Sequence, residues 1–231
     1  MSSSVTEDLE ALRRVLAGAR ALLLDFDGPV CDLFARLTAR DIAAELRRII
    51  AAHGVDLPVE VGAGPHELLG YVGGMSGPLR VQVETTLAAR EYEAAGTAVP
   101  TPGGAEVIRA WHDSGRPVGI VSNNAPEAVH RYLEEHDLAG CVDRVEGRDP
   151  TRPDLMKPDP HLFTRAATAL SCSDTECVLV GDQTSDVRTA HSAGARAIGY
   201  SPNPRRAAVL GDAGADAVTT SMTALVTAMP S

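Results

Sequence analysis

The chain has 231 residues, a length that suits one large domain or a core domain with a smaller second one. Its formal net charge of −10 at pH 7 repels DNA, RNA and anionic lipid, so we expect neither a nucleic-acid nor a membrane partner. An anionic substrate would therefore need a local cation, either a metal ion or a well-placed basic side chain.

The cysteines and the N-terminus indicate the cellular compartment in which the protein is expected. None of the four cysteines belongs to a CxxC pair, which argues against a zinc site and against a disulfide framework. Residues 1–10 are polar and acidic, unlike a signal peptide, and no apolar run is long enough to span a membrane. The sequence therefore predicts a soluble cytoplasmic protein, and it leaves monomer and homodimer both open.

The first part of the chain combines one short apolar strand with helices. An amphipathic helix is predicted over 6–19, and a buried strand over 21–26 ends in the motif Asp-Phe-Asp-Gly at 25–28. Three helices and no convincing strand follow, over 33–53, 65–73 and 80–95. Residues 31–98 are therefore expected to be all-helical, and we call this segment the insert.

After Pro100, strands alternate with helices. Strands are predicted over 118–121, 142–146, 177–180, 195–199 and 217–219. Helices are predicted over 105–114, 126–135, 160–170, 185–193, 204–210 and 222–228. This alternation implies right-handed crossovers and a mostly parallel sheet. The predicted fold is α/β, with a Rossmann-like parallel sheet core (1–30 and 99–231) interrupted by the insert as an all-helical second domain (31–98).

Polar residues follow the predicted strands at the edge where a parallel sheet binds its ligands. They lie after three strands and before one helix: Asp25, Asp27, Gly28, Ser122, Asn123, Asp182, Asp186 and Lys157. Carboxylates that converge on one edge repel each other unless a hard cation lies between them, and oxygen-only ligands favour Mg²⁺. A lysine and a serine hydroxyl at the same edge suit a phosphoryl group that bridges metal and lysine.

The same residue types suggest a reaction. A carboxylate beside a metal-bound phosphoryl group can attack it in line and form an aspartyl-phosphate. A second carboxylate two residues away can protonate the leaving oxygen and then deprotonate the water that clears the intermediate. That second role needs a pKa raised toward neutrality, which nearby negative charge and burial would supply.

Four short segments resemble, in order and spacing, the four motifs of the haloacid dehalogenase superfamily: Asp25-Phe26-Asp27-Gly28, Ser122-Asn123, Lys157-Pro158, and Gly181-Asp182 with Asp186. The resemblance covers residues 22–228, and the insert is similar to the C1-type cap domain of that superfamily. With an acid at position 27, the chain resembles the phosphatase branch of that superfamily, because the dehalogenase branch lacks an acid at this position.

The resemblance implies a role for each matching residue. Asp25 would be the nucleophile and a Mg²⁺ ligand, while Asp27 would act as acid and base and ligate the metal through its backbone carbonyl. Asp182 would be a further metal ligand, with Asp186 as a ligand or its close partner. The catalytic set would also include Ser122 and Lys157, which would hold the phosphoryl group with help from the Asn123 amide and the turn at Gly28.

Three functions stay open at this point. The leading one is Mg²⁺-dependent hydrolysis of the phosphate monoester of a small phosphorylated metabolite. A phosphotransferase of the β-phosphoglucomutase type and a non-catalytic binding protein are the alternatives. A phosphonate-cleaving enzyme is disfavoured, because it needs a lysine in the insert and residues 31–98 contain none.

Other polar residues receive structural expectations. Asp32 is expected to cap the first helix of the insert, and His53 and His66 are expected to be surface or loop residues. The arginines of the insert are expected to lie mostly on solvated helix faces. Met156, next to Lys157, is expected in the core.

Overall fold

The computed structural model describes residues 8–75 and 77–230. Its helices are α1 (Leu9–Ala17), α2 (Ala39–Ala52), α3 (Pro65–Gly73), α4 (Pro78–Ala95), α5 (Gly104–Asp113), α6 (Pro126–Glu135), α7 (His161–Ala169), α8 (Thr184–Ser192), α9 (Pro204–Asp212) and α10 (Met222–Ala228). Its strands are β1 (Ala21–Leu24), β2 (Cys31–Asp32), β3 (Val99–Pro100), β4 (Val118–Val121), β5 (Arg144–Glu146), β6 (Cys177–Gly181), β7 (Arg196–Tyr200) and β8 (Ala217–Thr219).

Six of these strands form one sheet in the order β5-β4-β1-β6-β7-β8, and every neighbouring pair is parallel. β1, β4 and β6 are buried at every residue, which explains their unbroken apolar runs. Successive side chains of β1 alternate between the two faces, so Leu22 and Leu24 join one apolar cluster and Leu23 the other. Helices cover both faces, and the prediction of an α/β fold with a parallel sheet core is confirmed.

The insert packs around an apolar cluster of its own. α2, α3 and α4 supply Ile42, Leu46, Ile50, Leu68, Leu69, Val72, Leu79, Val83 and Leu87 to this cluster. Met156 reaches it from the core, as its predicted burial requires. α3 and α4 both begin with proline, whose missing N–H costs nothing in the first turn of a helix.

The expectation that residues 31–98 contain no strand was wrong at one point. Cys31–Asp32 pairs antiparallel with Val99–Pro100, so a two-residue ladder joins the start of the insert to its end. Two residues carry no periodicity from which a strand could be predicted. Asp32 therefore does not cap α2. That helix begins at Ala39 rather than at the predicted residue 33, and Thr38 caps it by accepting the Asp41 N–H.

The predicted bounds of the other elements agree with the observed ones to within about two residues, except at α1. The helix predicted over 6–19 is observed as Leu9–Ala17, with Asp8 as its cap; residues 6 and 7 lie outside the described part of the chain. Within residues 8–75 and 77–230, no helix has both the length and the apolar character that crossing a bilayer requires.

Candidate active site

Neighbouring strands bring the predicted polar residues to one edge of the sheet. β1 lies between β4 and β6, so the segments that follow these three strands meet at their carboxyl ends. A cavity of about 520 Å³ lies between this edge and the insert, and Asp25, Asp27, Ser122, Asn123, Lys157 and Asp182 all line it. Asp186 lies buried just behind this lining, in the first turn of α8.

Asp25 is buried at the end of β1. Its Oδ1 accepts the Phe26 N–H at 2.7 Å and lies 2.8 Å from Lys157 Nζ. Burial raises the pKa of Asp25 to about 7, although the nearby Lys157 ammonium opposes that shift. Both contacts use Oδ1, so among the described residues Oδ2 has no hydrogen-bond partner.

Asp27 lies on the same turn and is partly exposed. Its Oδ1 accepts the backbone N–H of Leu33 at 2.9 Å, which ties the turn to the start of the insert. Burial raises the pKa of Asp27 to about 6, while the Leu33 hydrogen bond and the charge of His66 act in the opposite direction. A carboxyl group with this pKa can give up and take back a proton near neutral pH.

Lys157 is buried among acceptors. Its Nζ lies 2.6 Å from Asp186 Oδ1 and 2.8 Å from Asp25 Oδ1, and it donates to the Val121 carbonyl at 3.1 Å. Burial lowers the pKa of Lys157, but the two carboxylates outweigh burial and raise that pKa above its ordinary value. The lysine therefore stays charged inside the protein.

Asn123 holds the segment that carries this lysine. Its side-chain Oδ1 accepts the backbone N–H of Lys157 at 2.7 Å, and its Nδ2 donates to the Lys157 carbonyl at 3.2 Å. The neighbouring Ser122 is fully buried, and its hydroxyl donates to Asn124 Oδ1 at 2.8 Å. The loop after β4 thus fixes both the lysine and the serine.

Three carboxylates form a group that could hold a metal ion. Oxygens of Asp25, Asp182 and Asp186 lie within 4.8 Å of one another. Burial raises the pKa of Asp182 to about 7, and the charges of Asp186 and Asp27 add to that shift. Such mutual repulsion is what a hard cation would relieve, and the oxygen-only donor set fits one. The carboxylate of Asp27 does not belong to this group.

Gly28 shapes the turn next to Asp182. Its φ is +108°, and a Cβ at this position would lie 2.6 Å from Asp182 Cγ. Its N–H, which was predicted to help bind phosphate, donates to the Cys31 carbonyl at 2.7 Å. Its carbonyl accepts the Thr101 hydroxyl at 2.6 Å. Because Gly28 has no side chain, the carboxylate of Asp182 can lie next to its Cα.

A buried group of charges lies behind the cavity and was not predicted. We call it the Arg148 cluster: Glu84, Glu91, Arg148 and His66. The Arg148 side chain is fully buried and donates to Glu91 at 2.7 and 2.8 Å and to Glu84 at 2.9 and 3.0 Å. It also donates to the Asn123 carbonyl at 2.9 Å. This arginine thus connects the loop after β4 to α4 of the insert.

Glu91 bonds to more of the described residues than any other member of the cluster. Besides Arg148, it accepts from His66 Nε2 at 2.9 Å, from Asn124 Nδ2 at 3.0 Å and from the Ala125 N–H at 2.9 Å. Burial alone would raise the pKa of Glu91, but the Arg148 guanidinium and His66 hold it below its usual range. Glu91 is therefore a carboxylate and an acceptor in every one of these bonds.

Sequence reasoning could have identified two residues of this cluster as site residues. Arg148 follows β5 by two residues, so the rule that found the other site residues also applied to it. Glu91 lies in the C-terminal part of α4 and continues the four-residue spacing of the buried Leu79, Val83 and Leu87, so an acid on that apolar stripe was the signal for it. The prediction that His66 is a surface or loop residue was wrong: it lies in the first turn of α3 and lines the cavity.

Comparison with known proteins agrees with this geometry. A phosphoglycolate phosphatase of Salmonella paratyphi A is 30% identical over 95 residues, which cover 41% of this chain and 37% of that protein. The chain thus spans well under half the length of this curated relative.

Two solved structures share the fold. One is a hydrolase from Deinococcus radiodurans R1 with bound phosphate and sodium, at 26% identity and a TM-score of 0.60, covering 90% of this chain and 94% of that one. A β-phosphoglucomutase from Clostridium difficile, at 15% identity, has a TM-score of 0.64 over 88% of this chain and 92% of that one.

Residues 19–194 match the family described as haloacid dehalogenase-like hydrolase, a span that includes the strands β1, β4 and β6 and all eight predicted site residues. The chain belongs to this family of hydrolases.

Proposed function

We propose that the protein hydrolyses the phosphate monoester of a small metabolite by way of a phosphorylated Asp25. The observation that carries this proposal is the contact of 2.8 Å between Lys157 Nζ and Asp25 Oδ1, beside the group of three carboxylates. The lysine leaves Asp25 Oδ2 as a nucleophile and supplies positive charge for the anion that this oxygen attacks.

Mg²⁺ is the cation that this donor set fits best, and Asp25, Asp182 and Asp186 would hold it together with the Asp27 carbonyl. When bound, it supplies positive charge to the oxygens of the phosphoryl group. Four free cysteines fit the proposed cytoplasmic location. The separate apolar cluster of α2, α3 and α4 supports the insert as a cap domain.

In the first step, an Asp25 carboxylate oxygen attacks phosphorus and the ester P–O bond breaks. Asp27 gives its proton to the leaving alkoxide, so a neutral alcohol departs. Ser122 and Lys157 hold the phosphoryl oxygens during the transfer, and Asn123 keeps Lys157 in place. The products of this step are the alcohol and phosphorylated Asp25.

In the second step, the Asp27 carboxylate takes a proton from a water molecule while the water oxygen attacks the same phosphorus. The bond between phosphorus and Asp25 breaks, which releases inorganic phosphate and restores the Asp25 carboxylate. Asp27 is protonated again and is ready for the next ester. Its pKa of about 6 suits both halves of this cycle near neutral pH.

The test is phosphate release from a panel of phosphorylated metabolites and p-nitrophenyl phosphate, with Mg²⁺ or with EDTA. Phosphoglycolate belongs in the panel because it is named in the curated relative. Asp25→Asn should lower kcat by about 10³-fold or more, because no other group can replace the nucleophile.

The exposed neighbour Asp32 offers a matched control, and Asp32→Asn should keep kcat within about threefold of the wild type. Activity of Asp25→Asn close to that of the wild type would exclude the covalent route. Phosphorylated Asp25 without phosphate release would indicate transfer to an acceptor other than water.

A further inference from the structure

His66 is the basic residue that the insert contributes to the cavity. Among the described residues that line it, only His66 and Lys157 can carry positive charge, and no arginine is present. Lys157 already contacts two carboxylates, Asp25 and Asp186. The part of the cavity formed by the insert therefore depends on His66 for any positive charge offered to a ligand.

The buried carboxylate of Glu91 fixes the state of this histidine. Because Glu91 can only accept, His66 Nε2 must carry a hydrogen and donate it over 2.9 Å. Nδ1 is then the second ring nitrogen, and it has no hydrogen-bond partner among residues 8–75 and 77–230. The side chain is 26% exposed, so a molecule in the cavity can reach the ring.

The Arg148 cluster holds the ring of His66 in place. Glu84 and Glu91 share the guanidinium of Arg148, and Glu91 also accepts from His66 Nε2. Nδ1 is therefore the ring nitrogen that a molecule in the cavity can meet.

The same carboxylate also fixes the phosphate end of the site. Glu91 accepts from Asn124 Nδ2, and Asn124 Oδ1 accepts from the Ser122 hydroxyl at 2.8 Å. Glu91 is therefore hydrogen-bonded directly to His66 and, through one amide, to Ser122. A ligand that spans His66 and the loop after β4 would therefore meet two groups with a fixed separation, which favours one length of substrate.

We infer that His66 is a specificity-determining residue and binds a carboxylate carried by the alcohol part of the substrate. This inference rests on the proposed function. One histidine ring with one unpartnered nitrogen matches a carboxylate, which carries a single charge, whereas a second phosphate group would call for more than one basic side chain. The substrate class is a small phosphate ester of a hydroxycarboxylic acid, a class that includes the phosphoglycolate named in the curated relative.

The kinetic test compares phosphoglycolate with ethyl phosphate, which has the same length but no carboxylate. His66→Gln retains a donor for Glu91 and removes the basic ring nitrogen Nδ1. It should raise KM for phosphoglycolate about 10- to 100-fold and leave kcat/KM for ethyl phosphate within about threefold. His53→Gln is the matched control, since His53 is an exposed histidine of the insert whose side chain, among the described residues, bonds only to the Ile49 carbonyl.

Binding separates this inference from the proposed function. Calorimetry would compare 3-phosphonopropionate, a phosphoglycolate analogue that cannot be hydrolysed as an ester, with propylphosphonate. The wild type and His53→Gln should prefer the carboxylate-bearing compound about 10-fold or more, and His66→Gln and His66→Asn should lose that preference. Equal affinities in the wild type, or an unchanged preference in both His66 variants, would overturn the inference even if no ester were hydrolysed.

Discussion

Gly28 determines whether Asp182 can occupy its place in the site. Alanine there must adopt a φ of +108° and would bring Cβ to 2.6 Å from Asp182 Cγ. We predict that Gly28→Ala displaces Asp182 and lowers kcat/KM at least about 10-fold, because a small misplacement of a metal ligand has large kinetic effects. Mg²⁺-dependent phosphate release measures the change.

Gly54 provides the control for this substitution. Its φ is +73°, but a Cβ there would meet no atom within 4 Å. Gly54→Ala should therefore share the backbone strain, about 1 kcal/mol, without the loss of activity. If the two variants lost activity equally, the contact with Asp182 would not be the cause.

The raised pKa values of Asp25 and Asp182 would also affect the affinity of the proposed metal site. Both are raised from the ordinary value to about 7, so in the metal-free protein the two groups take up protons as pH falls through 7. Mg²⁺ must displace those protons, and its apparent affinity should fall from pH 8 to pH 6 with more protons released per ion. Calorimetry in buffers of different ionisation enthalpy measures both quantities, and a pH-independent affinity would contradict the prediction.

At the scale of elements, the Arg148 cluster joins α4 of the insert to the loops that follow β4 and β5. Arg148, Glu84 and Glu91 are buried, so removal of one of these partners leaves charge without compensation. We predict that Arg148→Met lowers the free energy of unfolding by about 3–5 kcal/mol. Urea denaturation followed by circular dichroism measures the loss.

Arg90, which lies on α4, is the matched control for Arg148. It forms ion pairs with Glu45 and Glu93 that are largely exposed to solvent. Arg90→Met should change the free energy of unfolding by less than about 1 kcal/mol. A loss from Arg148→Met no larger than that from Arg90→Met would mean that the cluster contributes little to stability.

At the scale of the whole molecule, the net charge of −10 opposes the approach of an anionic ester. Salt screens this repulsion over a Debye length of about 10 Å at 0.1 M. We predict that kcat/KM for a phosphate ester rises about two- to fivefold as NaCl increases from about 10 to 150 mM. Steady-state rates at constant Mg²⁺ measure this dependence of kcat/KM on salt. A fall in kcat/KM with salt would show that local positive charge dominates the encounter between ester and protein.

The sheet could be predicted because β1, β4 and β6 are short apolar runs that are buried at every residue. β4 and β8 have the predicted bounds, and β1 and β6 differ from them by one or two residues. β2 and β3 could not be predicted, since their pairing depends on how the insert brings residues 31–32 and 99–100 together. Tertiary contact, and not local preference, creates such a short ladder.

The sequence by itself determined which elements form the sheet core and which acidic, hydroxyl and basic residues follow its strands at the candidate site. Those residues have signals because a strand end and the residue after it are local features. Only the tertiary structure decided which distant residues support them. Glu91, Arg148 and His66 come from three separate segments. The bond between His66 and Glu91 requires α3 and α4 to lie side by side, and the bond between Arg148 and Glu91 exists only when the insert packs on the core.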